Sequence, residues 1–142
     1  MKRTDKAYYA GLFDGEGTVT MTKKKKDLPF RVPVVSMSST TLELLEHVQH
    51  NYGGSISPHK TYKDHHKISW SWKLDNRKAL DFLRDIRPYM KEPEKCRRAD
   101  LLLRDYIKLT PRNGRYNQYT TAQRLCLEIE FFANSLVEVG EI

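Results

Sequence analysis

The chain has 142 residues and a formal net charge of +7, from 25 Lys and Arg against 18 Asp and Glu. This length predicts one domain over residues 1–142, and the basic excess predicts a polyanionic partner. No apolar run reaches the length of a membrane span and no signal-peptide pattern opens the sequence, so we expect no membrane partner. Cys96 and Cys126 lack the spacing of a metal or redox site, which favours an intracellular, reducing compartment.

The first predicted element is a helix from about Asp5 to Gly15, with Thr4 or Asp5 as its N-cap. Within it, Ala7, Gly11 and Gly15 recur every four residues and therefore lie on one helix face. A face with almost no side chain allows a second helix to approach closely. The stripe therefore predicts a helix–helix contact.

Two carboxylates, Asp14 and Glu16, stand at the end of this helix and are separated only by Gly15. Helix C-termini also leave carbonyl oxygens without partners, and such hard oxygen atoms suit Mg²⁺ or Ca²⁺. If two such helices pack together, their acidic ends would form a two-metal site for phosphodiester chemistry. An amphipathic helix with an ordinary glycine cap is the alternative interpretation.

The rest of the chain predicts two strands, a helix, two strands and then further helices, from the periodicity of its apolar residues and its capping signals. The predicted strands are 18–24, 30–38, 55–62 and 67–74, and the predicted helices run from Thr40 or Thr41 to Tyr52, from Asn76 to before Pro88, over 94–109 and over 121–139. On the last helix we expect burial of Leu125, Ile129, Phe132 and Leu136.

This order predicts an α+β fold, αββαββα, with a four-stranded antiparallel sheet, plus C-terminal helices. Helices cover one sheet face, and the free face can enter the major groove of DNA. The second strand carries apolar residues on both faces, so the sequence does not assign its register. The predicted DNA-contacting residues are Thr18, Thr20, Thr22, Lys24, Lys25, Arg31, Ser57, His59, Thr61, Ser69, Ser71 and Lys73.

The same features have structural alternatives that the sequence leaves open. Any half-buried sheet alternates polar and apolar residues in this way, without binding a ligand. The lysine run 23–26 is either a set of phosphate contacts, which position the protein without reading sequence, or a solvated hairpin tip.

Residues 9–17, YAGLFDGEG, resemble the signature of the LAGLIDADG homing endonucleases. Tyr9 departs from the first leucine of that signature, and Glu16 replaces its final aspartate while keeping the carboxylate. Residues 52–56 are similar to the helix-to-strand corner of the family, and residues 87–91, followed by Lys95, are similar to its proline-tyrosine-lysine segment. The resemblance extends over about residues 8–103.

The resemblance implies a homodimeric, Mg²⁺-dependent endonuclease that cuts a long, pseudo-palindromic, double-stranded DNA target and leaves 3′ overhangs. It implies Glu16 and Lys95 as catalytic residues, and the Glu16 carboxylate and Gly15 carbonyl as metal ligands. It implies Ala7, Gly11 and Gly15 as the dimer interface, and Mn²⁺ or Ca²⁺ as substitutes for Mg²⁺ in binding. The resemblance also implies a sheet shaped as a DNA-binding saddle and an intron or intein origin, in a bacterial or archaeal cytoplasm or in an organelle.

Two other functions remain open on the same fold. An RNA-binding intron maturase would keep the basic surface without needing the carboxylates, so Glu16 and Lys95 argue against it. Residues 36–39 contain no glutamine, which family members often place there to orient water, and this absence favours the maturase. The third function, a non-cleaving DNA-binding regulator, would be supported by a helix-turn-helix pattern, and none is evident.

Overall fold

The computed structural model describes residues 1–24, 30–59, 68–110 and 118–133. The expected alternation of helices and hairpins is present in these residues. The elements in chain order are α1 (Arg3–Glu16), β1 (Gly17–Thr22), β2 (Val32–Ser39), α2 (Leu42–Tyr52), β3 (Ser55–Pro58), β4 (Trp70–Asp75), α3 (Asn76–Ile86), a 3₁₀ turn (Arg87–Tyr89), α4 (Pro93–Leu101), a π-helical turn (Leu102–Tyr106), α5 (Ile107–Leu109) and α6 (Gln118–Phe132).

Within the described residues, four strands form an antiparallel sheet in the order β1-β2-β4-β3. Val19 pairs with Val35, and Val35 pairs with Leu74, so these three side chains share the buried face. Neighbouring side chains along a strand point to opposite faces. The pairing therefore assigns the register of β2, which the sequence left unassigned. It places Val34 and Ser36 on the free face.

Helices α1, α2 and α3 supply the side chains that cover the buried face. Trp72 of β4 and Phe13 of α1 both contact Phe82 of α3, at ring-centroid distances of 5.2 and 5.4 Å. Edge-to-face aromatic contacts of this kind add to the stabilisation that comes from burying apolar area. The centre of the core therefore joins the sheet to the end of α1, which carries Gly15 and Glu16.

Tyr9, which departs from the family signature, is fully buried in this core. Its hydroxyl accepts a hydrogen bond from Asn51 and contacts Nδ1 of His47, both at 2.5 Å. Burial raises the pKa of the Tyr9 hydroxyl, because the charged form would lose its hydration. The ring keeps the apolar contact expected of a leucine, and the hydroxyl is satisfied by α2.

Several predicted boundaries differ from the structure. The N-cap of α1 is Lys2, whose backbone N–H donates to Asp5, so the helix begins before the predicted Thr4 or Asp5 cap. Asp75, not Asn76, is the N-cap of α3, and the predicted helix 94–109 contains a π-helical turn. The described parts of the strands are shorter than predicted, and the outer parts of the second hairpin lie outside the described residues.

The predicted buried face of α6 is wrong. Leu125, Ile129 and Phe132 are 42%, 73% and 41% exposed, whereas Arg124 and Glu128 are 1% and 5% exposed. Leu136 lies outside the described residues.

The charged residues are buried because they bind the chain just before β2. Arg124 donates to the carbonyl oxygen of Arg31 at 2.6 Å, and Glu128 accepts from the Arg31 backbone N–H at 3.1 Å. The Arg124 guanidinium also stacks on Tyr106, at 4.2 Å from the ring centroid. A pattern of hydropathy alone assigns such residues to the exposed face.

No helix in the described ranges is both long enough and apolar enough to cross a membrane.

Candidate nucleic-acid interface and metal site

Helix α1 ends where the sheet begins, and Glu16 lines a groove together with Ser38 and Ser39 at the end of β2. Glu16 and Gly15 are exposed, and Gly17 follows directly as the first residue of β1. Among the described residues, none makes a hydrogen bond or an ion pair with the Glu16 carboxylate. This carboxylate is therefore available to an external ligand.

Lys95 reaches the same helix end from α4. Its ammonium donates to the carbonyl oxygens of Asp14 at 2.6 Å and Phe13 at 3.3 Å. These carbonyls belong to the last turn of α1, which carries partial negative charge. Lys95 thus supplies a positive charge at the helix end from which Glu16 projects.

Asp14 has a different environment from Glu16. Its Oδ2 accepts a hydrogen bond from the backbone N–H of Lys91 at 2.8 Å. Its Oδ1 is buried and has no hydrogen-bond partner within the described ranges. Asp14 therefore bridges α1 to the segment before α4, through a partner that is 77 residues away in the chain.

A groove of about 340 Å³ is lined by Glu16, by the apolar side chains of Leu12 and Leu44, and by several hydroxyl-bearing side chains. Ser38, Ser39 and Ser69 are among these lining residues. The Ser38 hydroxyl lies 3.2 Å from Nε2 of His59, and the His59 backbone N–H donates to the carbonyl of Ser69 at 2.8 Å. The sequence pattern does not select Ser38, because the apolar residues on both faces of β2 hide its register.

The pairing brings most of the sequence-predicted sheet residues together. Thr18 and Lys73 flank Ser36 in one row of the free face, and Ser57 and Ser71 lie in the next row. Ser71 is only 6% exposed between its neighbours, whereas Thr18, Thr22, Ser57, His59 and Lys73 are exposed and Thr20 and Ser69 are half-buried. Lys25 and Thr61 lie outside the described residues.

Two of the predicted basic contacts are engaged within the chain. Lys24 forms an ion pair with Asp75 at the end of β4. The guanidinium of Arg31 lies 3.8 Å from Glu128 and stacks over Phe132 of α6, at 5.2 Å from the ring centroid. Arg31 is therefore held against α6, and it remains half-buried.

Among the described residues, no cluster of three or more His, Cys, Asp or Glu side chains could hold a metal ion. Each chain offers one free carboxylate at Glu16, beside the exposed residue Gly15. A carboxylate and a backbone carbonyl suit Mg²⁺ or Ca²⁺ by their chemistry, although they are too few to complete a coordination shell. The donor set fits one part of a metal site that a second chain and a substrate would complete.

The stripe of Ala7, Gly11 and Gly15 is exposed along α1. A Cβ atom added at Gly11 or Gly15 would meet no atom within 4 Å. Tyr8 is also 53% exposed on this helix. The stripe therefore presents open space on the surface of the chain and is not used for packing within it.

The model of the LAGLIDADG-like domain family matches residues 3–87, which are 85 of the 142 residues. This range includes α1, the whole described sheet and α3. No curated protein matches the sequence.

Several solved structures share the fold. One is the homing endonuclease I-CvuI in complex with its target in the presence of calcium, with a TM-score of 0.70, 16% identity, and coverage of 94% of this chain and 85% of that chain. The archaeal intron-encoded homing endonuclease I-Vdi141I, complexed with DNA, has a TM-score of 0.59 and 18% identity, with coverage of 93% and 86%. I-SmaMI, bound to an uncleaved DNA target with calcium ions, has a TM-score of 0.64 and 18% identity, with coverage of 95% of this chain and 48% of that chain.

At these identities the structural likeness establishes the fold, and the αββαββα order and four-stranded sheet expected from the sequence are confirmed. The family model covers more than half of the chain and includes the signature at residues 9–17. This protein belongs to the LAGLIDADG-like domain family.

Proposed function

We propose that this protein is a homodimeric, Mg²⁺-dependent endonuclease that cuts both strands of a long, pseudo-palindromic DNA target and leaves 3′ overhangs. The observation that carries the proposal is the free Glu16 carboxylate at the end of α1, with the Lys95 ammonium on the carbonyls of that helix end. This pair stands beside a polar sheet face on a chain with a net charge of +7. The structural relatives bound to DNA support DNA as the substrate class.

The active form requires two chains, because one chain supplies one such helix end. A twofold contact through Ala7, Gly11 and Gly15 would set each small residue against its own copy or close to it. It would also bring the two Glu16 carboxylates together. The open space around Gly11 and Gly15 supports this arrangement.

The Glu16 carboxylate and the Gly15 carbonyl are the groups that would hold the metal, and Mn²⁺ or Ca²⁺ would replace Mg²⁺ for binding. When bound, Mg²⁺ would supply Lewis-acid stabilisation of the negative charge that develops on phosphate oxygen atoms. Lys95 contributes a fixed positive charge near the same phosphate and offsets the charge of the phosphorane. The free sheet face binds the duplex and holds the phosphate in place.

Ser38 takes the place that a glutamine often occupies in this family, and its hydroxyl orients water in the groove beside Glu16. His59 fixes this hydroxyl through the contact of 3.2 Å. A hydrogen bond of this kind needs no formal charge, so it adds water positioning without changing the electrostatics of the site.

The proposal is tested by selecting cleaved sites from a randomised duplex library in the presence of Mg²⁺. We expect recovery of one family of related, pseudo-palindromic sequences that are cut on both strands, with 3′ overhangs. The absence of cut products at every protein concentration would contradict the proposal. It would favour an RNA-binding maturase or a non-cleaving regulator.

Replacing Ser38 by alanine should lower the single-turnover cleavage rate about tenfold, the equivalent of about one net hydrogen bond. The dissociation constant for DNA should stay unchanged, because Ser38 acts on water. Ser36→Ala is the matched control, since Ser36 lies on the same face of the same strand, in the row of Thr18 and Lys73. Equal cleavage rates for Ser38→Ala and the control would contradict the role of Ser38.

Replacing Lys24 and Lys25 by alanine should flatten the dependence of DNA affinity on salt. Each phosphate contact contributes a slope of about −0.9 to the log–log plot. The preferred sequence should not change, because phosphate contacts do not read bases. Affinity measured by fluorescence anisotropy over a range of KCl concentrations checks this, and an unchanged slope would mean that neither lysine contacts a phosphate, with Lys24 held in its ion pair with Asp75.

A further inference from the structure

A second groove lies at the opposite end of β1 from Glu16, between the end of the sheet and the start of α3. It has a volume of about 910 Å³ and is lined by side chains that include Lys24, Lys73, Asp75, Arg77 and Lys78. It contains four cations and one carboxylate, and that carboxylate is already paired with Lys24. The groove is therefore strongly basic after its internal ion pair is counted.

The three remaining cations, Lys73, Arg77 and Lys78, are exposed. Within the described ranges, none of them makes a hydrogen bond or an ion pair with the protein. Arg84, on the same helix α3, instead pairs with Asp81. Like charges gathered in a groove repel one another, so this arrangement suits an anionic ligand. An arginine fork together with lysine ammonium groups matches phosphate oxygen atoms.

The groove continues the free face of the sheet. Lys73, which lines the groove, lies in the same row as Ser36 and Thr18 of the sheet. Two further residues of the sheet, Thr22 and Val34, also line the groove. A duplex placed on the free face and extending past the end of β1 would therefore reach Arg77 and Lys78. A free phosphate or a mononucleotide would not need this continuity with the sheet.

The length of β1 gives the spacing between the two sites. From Gly17 to Thr22 the strand has six residues, which span roughly 17–20 Å at about 3.3 Å per residue. Each base pair of DNA advances about 3.4 Å. With β1 along the duplex, the end of the groove at Thr22 lies about five to six base pairs outward from the phosphate at Glu16. Lys73, in the row of Thr18, lies nearer to Glu16.

We propose that Arg77 and Lys78 bind the phosphate backbone of DNA in the outer part of each half-site, about five to six base pairs from the cut. This inference rests on the proposed endonuclease function, which it extends by giving the target a minimum length. The contacts raise affinity without reading bases, so the sequence of the outer base pairs is only weakly constrained.

The test compares the variant Arg77→Ala/Lys78→Ala with the control Arg104→Ala/Lys108→Ala. The control removes the same number of charges from exposed positions on the helical run after Pro93. DNA affinity is measured in Ca²⁺ over a range of KCl concentrations, on the tightest-binding duplex recovered by binding selection. The variant removes two phosphate-binding cations from each of two subunits. The slope of log affinity against log KCl concentration should therefore decrease in magnitude by roughly 3 to 4. The slope for the control should not change.

Ethylation interference locates the bound phosphates directly. With the wild-type protein, ethylated phosphates about five to six base pairs outward from each cut should weaken binding, and Arg77→Ala/Lys78→Ala should lose this signal. The inference would be overturned if Arg77→Ala/Lys78→Ala kept both the salt dependence and the interference signal of the wild-type protein. It would also be overturned if the control Arg104→Ala/Lys108→Ala lost them to the same extent. Failure of the wild-type protein to cut in Mg²⁺ would instead contradict the proposed function, because the binding assays do not require cleavage.

Discussion

Glu16→Gln should abolish DNA cleavage, with a fall of at least about a thousandfold in the single-turnover rate. Glu16 is the free carboxylate at the end of α1, and each subunit would contribute one copy. The amide keeps the shape of the side chain and loses the negative charge that holds a divalent cation. Loss of cleavage should therefore come without loss of folding, which circular dichroism and thermal unfolding would check.

DNA binding should survive the same substitution or become tighter. The change removes a negative charge near the phosphates, so it removes repulsion without removing an attractive contact. Glu46→Gln is the matched control, because Glu46 is an exposed acid on α2. It should cut at the wild-type rate. A Glu16→Gln protein that still cuts at this rate would contradict the assignment of Glu16 as the metal ligand.

The α+β order was predictable because the first strand and the first helices carry a clear periodicity and capping signals separate the elements. In β1, Thr18, Thr20 and Thr22 alternate with the buried Val19 and Met21, and the structure reproduces this alternation. The register of β2 was not predictable, because its neighbours set its orientation. Val34 and Val35 are both apolar, and pairing with Thr20 and Val19 decides which of them is buried.

The failure on α6 has a different physical cause. Arg124 and Glu128 are buried because they form hydrogen bonds with the backbone groups of Arg31. These partners are more than 90 residues away in the chain. A helical wheel contains no information about such partners, so it places the two charges in solvent. Buried charges are tolerated where they are hydrogen-bonded. Glu128 meets this condition and Arg124 meets it in part, because its Nη2 donates to Arg31 while its Nε and Nη1 have no hydrogen-bond partner among the described residues.

The candidate site was predictable only where a local motif marks it. The signature at residues 9–17 places Glu16 at the end of a helix, and the structure has it there. The contact of Asp14 with the Lys91 backbone and the groove at Arg77 and Lys78 depend on tertiary packing. In the sequence, Arg77 and Lys78 are two cations in the first turn of a helix, where such residues are usually solvated.

Gly11→Leu should convert the protein from a dimer to a monomer and abolish cleavage with it. In the proposed dimer, two α1 helices approach closely at this position, and a branched side chain would overpack the contact by roughly 1–3 kcal/mol for each copy. The wild-type protein should sediment at about twice 16.7 kDa and the variant near 16.7 kDa.

The fold of each chain should be unaffected by this substitution, because Gly11 is exposed and a Cβ there meets no atom within 4 Å beyond its chain neighbours and the backbone of its own helix. Replacing a glycine inside a helix also removes a cost of roughly 0.5–1 kcal/mol, so the variant chain should unfold no more easily than the wild type. Glu46→Leu places the same side chain at an exposed position of α2 and should leave the dimer intact. A wild-type protein that remains monomeric both free and on DNA would overturn the two-chain mechanism, since a single Glu16 cannot serve both strands at one site.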